Sequence, residues 1–222
     1  MTGRQETLVE RYVLPPQEIE ALSLRRVEAS MPCLGELPVA EREVVKRIVY
    51  AAGDPGLAPL VRFHRLAVEE GLSALRGGSP VVADVRMVEV ALDRARLGSL
   101  GCELMCAIDA PEVVREAREL RIPRAVVAMR SLAGRLTGSV VVVGNAPTAL
   151  LSLLDLVDAR VVLPSLIIGM PVGFVAASES KEELAARDVP FITIEGTRGG
   201  SAVAAAAANA LLRLATTGQG PR

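Results

Sequence analysis

From residue 80 onward the sequence alternates between short apolar runs and longer amphipathic stretches. The runs cover residues 80–83, 102–108, 140–144, 166–169 and 191–194. Each stays apolar almost without interruption, the pattern of a strand covered on both faces rather than one. Stretches with helical spacing lie between them, at 86–94, 111–120, 124–136, 147–157, 181–187 and 201–214. Buried strands separated by helices predict an α/β, doubly wound fold, with a mainly parallel five-stranded sheet, right-handed crossovers and helices on both faces.

Ahead of that rhythm, residues 1–40 are charged and punctuated by Pro15, Pro16, Pro32 and Pro38, and read as an N-terminal helical arm with a helix at 16–29. At 41–52, Val44, Val45, Ile48 and Val49 share one helical face and Gly53 closes the helix. Another helix at 65–76 ends at Gly77 and Gly78. The expected organisation is a single domain over 1–222, with the arm at 1–40, the α/β core at 41–214 and a flexible tail at 215–222. Half of the residues are hydrophobic and 23% are charged, enough to build a substantial core and unlike a disordered chain.

Composition also narrows the partners. A net charge of -1 supplies no field for a nucleic-acid backbone, and 2% aromatic residues leave little on which bases can stack. The longest uncharged run, 161–178, is broken by Pro164, Gly169, Pro171 and Gly173, so no membrane span is expected. The first residues carry charges throughout and lack the apolar stretch of a secretory signal. Cys33, Cys102 and Cys106 are too few and too odd in number for a disulfide framework, which suits a reducing cytoplasm. Of the 25 basic residues, only Lys46 and Lys181 are lysines. The arginines suit a polyanionic small ligand, and a general compositional bias explains them equally well.

In doubly wound sheets ligands bind beyond the carboxyl ends of the strands, where helix N-termini offer free N–H donors. The turn at 144–148 places Asn145 and Thr148 there, with Pro147 in the first helical turn; Asn145 can cap that helix or contact a ligand. The turn at 169–174 is apolar where a solvent loop is usually polar, and so calls for a bulky ligand or a second subunit. Gly196-Thr197-Arg198-Gly199-Gly200-Ser201 resembles an anion cradle, with Arg198 for charge and Ser201 as a cap, but matches neither common nucleotide motif. Asp84, Arg86, Arg94 and Arg96 can bind a carboxylated ligand or form a solvated helix face. Cys102 and Cys106, without a second pair, read as core rather than a metal site, and His64 reads as a surface or capping residue.

Three of these stretches carry a resemblance: GNAPTALL from Gly144, IIGMPVGFVAASESK from Ile167, and RGGSAVAAAAANAL from Arg198. In that order they resemble the precorrin-8X methylmutase family, also called cobalt-precorrin-8 methylmutases. A looser likeness extends through DVRMVEVALDRARL from Asp84 and EREVVKRIVYAAGD from Glu41. The resemblance implies a cofactor-free isomerase of cobalamin biosynthesis that moves a methyl group from C-11 to C-12 of precorrin-8X or cobalt-precorrin-8, giving hydrogenobyrinate or cobyrinate. It also implies a homodimer with active sites near the subunit interface, and substrate contacts from Ser23, Asp84, Arg94, Arg124, Asn145, Thr148, Gly173, Arg198 and Ser201.

The sequence departs from the family at the residue expected to protonate the ring, a histidine in the family and Tyr50 here. A phenol is protonated at neutral pH and donates a hydrogen bond, but it is a weaker acid than an imidazolium. The family's early serine falls on Ala21, with Ser23 close enough to replace it. The family's Thr-Arg-Ser becomes Pro123-Arg124-Ala125, retaining the arginine. The alternative is a non-catalytic corrinoid-binding protein, and a packing role for Tyr50 stays open beside the catalytic one. The apolar turn and the alanine-rich last helix both predict exposed surface that a homodimer would cover, although close packing of the alanines on the sheet explains that helix well enough alone.

Overall fold

The computed structural model describes residues 7–217. The arm contains α1 (Leu8–Tyr12), α2 (Pro16–Ala29) and a 3-10 turn at Pro32–Glu36. Next comes α3 (Val39–Ala52), which ends where Gly53 takes the left-handed conformation at φ 65°. A 3-10 stretch, Pro55–Leu60, leads to β1 (Val61–Phe63) and α4 (Ala67–Arg76). The alternating portion follows: β2 (Val81–Ala83), α5 (Arg86–Ala91), α6 (Arg94–Leu100), β3 (Leu104–Met105), α7 (Pro111–Leu120), α8 (Arg124–Ser131) and α9 (Ala133–Leu136). It continues through β4 (Val140–Val143), α10 (Pro147–Asp158), β5 (Leu166–Gly169), α11 (Ala177–Ala185), β6 (Phe191–Ile194) and α12 (Ser201–Thr217).

The strands form one sheet in the order β1-β6-β5-β4-β2-β3, parallel except for β1, which pairs antiparallel with β6. The chain leaves β2 for β3 on one side, returns past β2 to β4, and continues outward through β5 and β6. Strand order therefore reverses between β2 and β4, bringing the residues that follow them, Asp84 and Gly144, to the crevice where such folds bind ligands. Alternate strand residues serve opposite cores. Val81, Val140, Val142, Leu166, Ile168 and Ile192 pack towards α3, α4 and α12, while Val82, Val141, Val143, Ile167 and Phe191 pack towards α8, α10 and α11.

The doubly wound α/β architecture is as expected, with helices on both faces, but the sheet has six strands rather than five. The extra strand, β1, is a short antiparallel edge whose Arg62 faces solvent and pairs with Glu195 at 2.8 Å, so it lacks a continuous apolar run. The run at 102–108 shortens to β3 at the opposite edge. The stretch at 86–94 divides where Leu92 is extended and Asp93 caps α6, and the stretch at 124–136 divides at Leu132.

The alanine-rich last helix packs on the sheet, as its small residues allow, and does not present the exposed surface that a subunit contact would need. It lies between the sheet and α3, and Ala204, Ala205, Ala207, Ala208 and Ala210 are buried. Small side chains let a helix covered on opposite sides approach both neighbours closely. Residues 215–217, expected in the tail, continue α12 to Thr217; residues 218–222 lie outside the described part, as do residues 1–6 of the arm.

Candidate functional site

The carboxyl edge is held by hydrogen bonds between distant loops. Asp84 is buried, and its carboxylate accepts from Gly144 N (3.1 Å), Asn145 N (2.9 Å) and Ala146 N (2.8 Å). Burial raises its pKa, against the downward pull of those N–H donors. Asp84 thus fixes the turn carrying Asn145 and Thr148, with its oxygens committed to backbone. Gly144 is required by close packing: a Cβ there would lie 2.7 Å from Ser201 Cα and 2.8 Å from Val88 Cγ2.

The two glycine-rich loops interlock. Gly200 N donates to Met170 O at 2.9 Å, and Gly173 N donates to Thr197 O at 3.2 Å. Gly199 adopts φ 148°, and a Cβ on it would sit 2.3 Å from Met170 O. Lys181, only 2% exposed, extends from α11 to donate from Nζ to Arg198 O at 2.6 Å, and burial pushes its pKa down to about 8. Ser201 begins α12, yet its Oγ is buried and has no hydrogen-bond partner among the described residues. An unpaired buried hydroxyl is costly, and here it can meet a ligand group.

Beyond this edge, α3 delivers a second set of side chains. Because β1 starts opposite the end of β6, the segment between α3 and β1 lies beside the 196–201 loop. Arg198 joins the two by pairing with Asp54 at 3.0 Å. Tyr50, one turn before Gly53, is 42% exposed and lines two hollows. One, of about 410 Å³, also contains Ser23, Arg26, Val27, Gly53 and Pro55. Ser23 Oγ donates to Ile19 O at 2.7 Å within α2.

The structure therefore gathers Ser23 and Tyr50 around one hollow and connects its rim to Arg198. Asn145 and Gly173 stand on the adjoining loops, and Thr148 and Ser201 in the first turns of α10 and α12; Asn145 is exposed and does not cap α10, whose N-cap is Ala146. Arg94 pairs with Glu89 at 3.0 Å, and Glu89 also holds Arg86, whose guanidinium grips Asp109 bidentately. Arg124 stands apart, at the β3 half of the sheet, lining a separate hollow of 270 Å³ with Arg118 and Ile122. Among the described residues no cluster of three or more His, Cys, Asp or Glu is arranged to hold a metal ion. Cys102 is buried with Sγ 3.3 Å from Leu75 O, while His64 accepts from Leu66 N at 3.3 Å and contacts Asp188 at 3.0 Å.

Arg47, Arg213, Glu20 and Lys181 were not singled out from the sequence as site residues. Arg47 precedes Tyr50 by three positions and so shares its helix face, a spacing that identifies it in retrospect. Lys181, one of only two lysines, follows the apolar turn directly on α11.

Together, the switch-point crevice, the interlocked glycine loops and the adjoining hollows define a doubly wound α/β protein suited to a small-molecule ligand. The precorrin-8X methylmutase family profile matches residues 18–214, and the chain belongs to that family. It is 41% identical over 205 residues to a cobalt-precorrin-8 methylmutase of Priestia megaterium, covering 91% of this chain and 90% of that protein. It is also 41% identical to the precorrin-8X methylmutase of Pseudomonas aeruginosa, over 90% of this chain and 96% of the other. The crystal structure of precorrin-8X methylmutase from Thermus thermophilus superposes with a TM-score of 0.83 at 39% identity, covering 91% of this chain and 97% of that one.

Proposed function

We propose that this chain is an isomerase of corrin-ring biosynthesis, moving the methyl group at C-11 to C-12 of precorrin-8X or cobalt-precorrin-8 to give hydrogenobyrinate or cobyrinate. The observation that carries this reading is its kinship, over nearly the whole length of both chains, with proteins named for the reaction. The equal 41% identity to one relative of each name favours neither substrate. Cobalt, in the second case, belongs to the substrate.

The reaction breaks the C-11–methyl bond and forms the C-12–methyl bond within one molecule. No atom enters or leaves, so orientation and one hydrogen-bond donor are what the protein must supply. Tyr50 is the donor in this reading: its hydroxyl polarises a ring nitrogen and favours the migrating tautomer. Ser23 shares its hollow, Arg198 meets rim carboxylates, and the loops carrying Asn145, Thr148, Gly173 and Ser201 line the macrocycle. Asp84 acts on the ligand through the 144–146 turn, while Arg94 and Arg124 remain candidates for more distant rim carboxylates. The same reading makes the chain a single-domain homodimer of the cytoplasm. Support for the dimer comes from an apolar patch at Val172, Phe174 and Val175, with Phe174 93% exposed.

Mixing the protein with precorrin-8 and following absorbance tests the proposal. We expect complete conversion at substoichiometric protein, with Tyr50→Phe retaining binding while turnover falls about 10²-fold or more. Tyr50→His should hold or raise turnover. A spectral change only at equimolar protein would instead mark a corrinoid-binding protein without catalysis. Turnover by Tyr50→Phe within about threefold of the parent would make Tyr50 a packing residue.

A further inference from the structure

The chain carries 25 basic residues, and only two of them, Lys46 and Lys181, are lysines. Both are buried, at 9% and 2% exposure, whereas no arginine is buried among the described residues. Burial suits a slender ammonium better than a guanidinium, whose five N–H groups all need acceptors. The surroundings of the two lysines differ. Lys46 donates to two carboxylates, Glu43 at 2.9 Å and Glu28 at 3.3 Å, and so ties the arm to α3. Lys181 has no carboxylate within ion-pair distance among the described residues, and donates to the carbonyl of Arg198.

An ammonium held away from water without a counter-ion opposes folding rather than aiding it. Its contribution is local. The peptide planes before and after the one that joins Arg198 to Gly199 are fixed by backbone: Thr197 O accepts from Gly173 N, and Gly200 N donates to Met170 O. The plane between them is followed by two glycines, at φ 148° and 123°, whose lack of side chains leaves it free to turn. The 2.6 Å bond from Lys181 sets that plane, and with it the direction of the Arg198 side chain and the approach to Ser201.

Beside this contact lies a hollow of about 210 Å³ lined by Lys181, in which the other polar groups are already engaged. Arg62 pairs with Glu195 at 2.8 Å, Ser178 Oγ donates to Glu182 at 2.9 Å, and Thr193 Oγ1 donates to Gly169 O at 2.5 Å. The charged groups facing the amine are therefore Arg62 from β1, Glu182 from α11 itself and Glu195 after β6. From α10, which packs on α11, Asp158 pairs with Arg187 past the far end of that helix. Burial brings the Lys181 pKa down to about 8, and the hollow gives the side chain room to withdraw from Arg198 when its charge is lost.

We propose that Lys181 is a positioning residue for ligand binding, whose ammonium fixes the Arg198–Gly199 peptide so that the Arg198 guanidinium and the Ser201 hydroxyl meet the ligand. The inference rests on the tetrapyrrole reading above, since it assigns Arg198 to an acidic arm of the macrocycle. Affinity then depends on the charge of an amine that acts through backbone, because a neutral amine donates a weaker hydrogen bond to the same carbonyl.

Titration of the whole protein with hydrogenobyrinate from about pH 7 to 9.5 tests this, with Lys181→Met and Lys181→Arg as references. At the lower pH Lys181→Met should bind about three- to tenfold more weakly than the parent. At the upper pH the parent should fall to within about twofold of that variant, and groups titrating elsewhere cancel because both proteins carry them. Lys181→Arg stays charged throughout, so its affinity relative to Lys181→Met should hold level. A lysine that only supports the fold predicts parallel profiles for parent and Lys181→Met; that result overturns the positioning role while the isomerase reading stands. If Lys181→Met does not fold, the parent against Lys181→Arg decides: a parent that weakens relative to the arginine variant supports the role, and parallel profiles overturn it. A parent that binds no tetrapyrrole at any pH removes the isomerase reading and the positioning role with it.

Discussion

The carboxyl edge of the sheet and the surface where α2, α3 and α12 meet use their polar groups in opposite ways. At the edge, polar side chains are buried and bonded to backbone: Asp84 to three N–H groups, Lys181 to a carbonyl. On the helical surface they are partly exposed and bonded to one another, as Glu20 is to Arg47 and Arg213. A group that satisfies buried backbone cannot leave without stranding it, whereas a half-exposed ion pair exchanges partners at little cost. Asp84 and Lys181 are consequently scaffold, holding in place the turns that carry Asn145, Gly173 and Ser201. Groups free to change partners lie beside the edge.

The largest effect should come from breaking the scaffold. Asp84→Ala strands the N–H groups of Gly144, Asn145 and Ala146, and at ~1–3 kcal/mol for each unsatisfied group we expect a stability loss of about 3–5 kcal/mol in urea unfolding. A loss below about 1 kcal/mol would break the comparison, since it would mean that the carboxylate is not needed by the backbone. Gly199→Ala comes next: its Cβ would meet Met170 O at 2.3 Å and φ is 148°, so about 1–3 kcal/mol should be lost. If thermal unfolding leaves that variant as stable as the parent, the two glycine loops are not rigidly interlocked.

How much of this was legible in the sequence follows from the same contrast. The five strands predicted from apolar runs are present because aliphatic side chains had to be buried on both faces. β1 escaped notice because it is brief, lies at an edge, and exposes Arg62. The turns at 144–148, 169–174 and 196–201 were recognisable by their glycines and position after strands. Asp84 was recognisable as polar, but its partners lie about sixty positions away and no local pattern reveals which atoms it serves. The alanines of α12 are compatible with packing on the sheet or on another subunit, because small residues alone do not say that a helix is covered on opposite sides. Arg47 and Arg213 acquire their meaning only when α3 and α12 come together.

Arg198 should show the reverse of the Asp84 pattern. Its guanidinium pairs with Asp54 while both side chains are about half exposed, and such pairs contribute only ~0–1 kcal/mol to folding. Arg198→Ala should therefore leave the unfolding midpoint nearly unchanged and weaken tetrapyrrole binding by roughly ten- to a hundredfold. Arg124→Ala, on the other half of the sheet, offers the comparison: equal weakening would mean that the macrocycle spans both places. Unchanged titration curves for both would remove the arginines from the site.

The smallest effect concerns Lys181 and depends on pH. Its pKa falls from 10.5 to about 8 on folding, because burial disfavours the charged ammonium. Between those values the unfolded chain binds the extra proton and the folded chain does not, so stability should rise as pH increases through 8. Burial raises the pKa of both Cys102 and Cys106 above 9.0, and above that pH their ionisation in the unfolded chain opposes the rise. The informative quantity is therefore the difference between the parent and Lys181→Met across pH 8 to 9, in which the thiol contribution common to both cancels. Urea unfolding across this interval should show the parent gaining stability relative to Lys181→Met, which cannot lose a proton. A difference that stays flat over this interval would mean that the ammonium is well solvated. Lys181 would then belong with the exchangeable surface charges rather than with the backbone-bound groups of the edge.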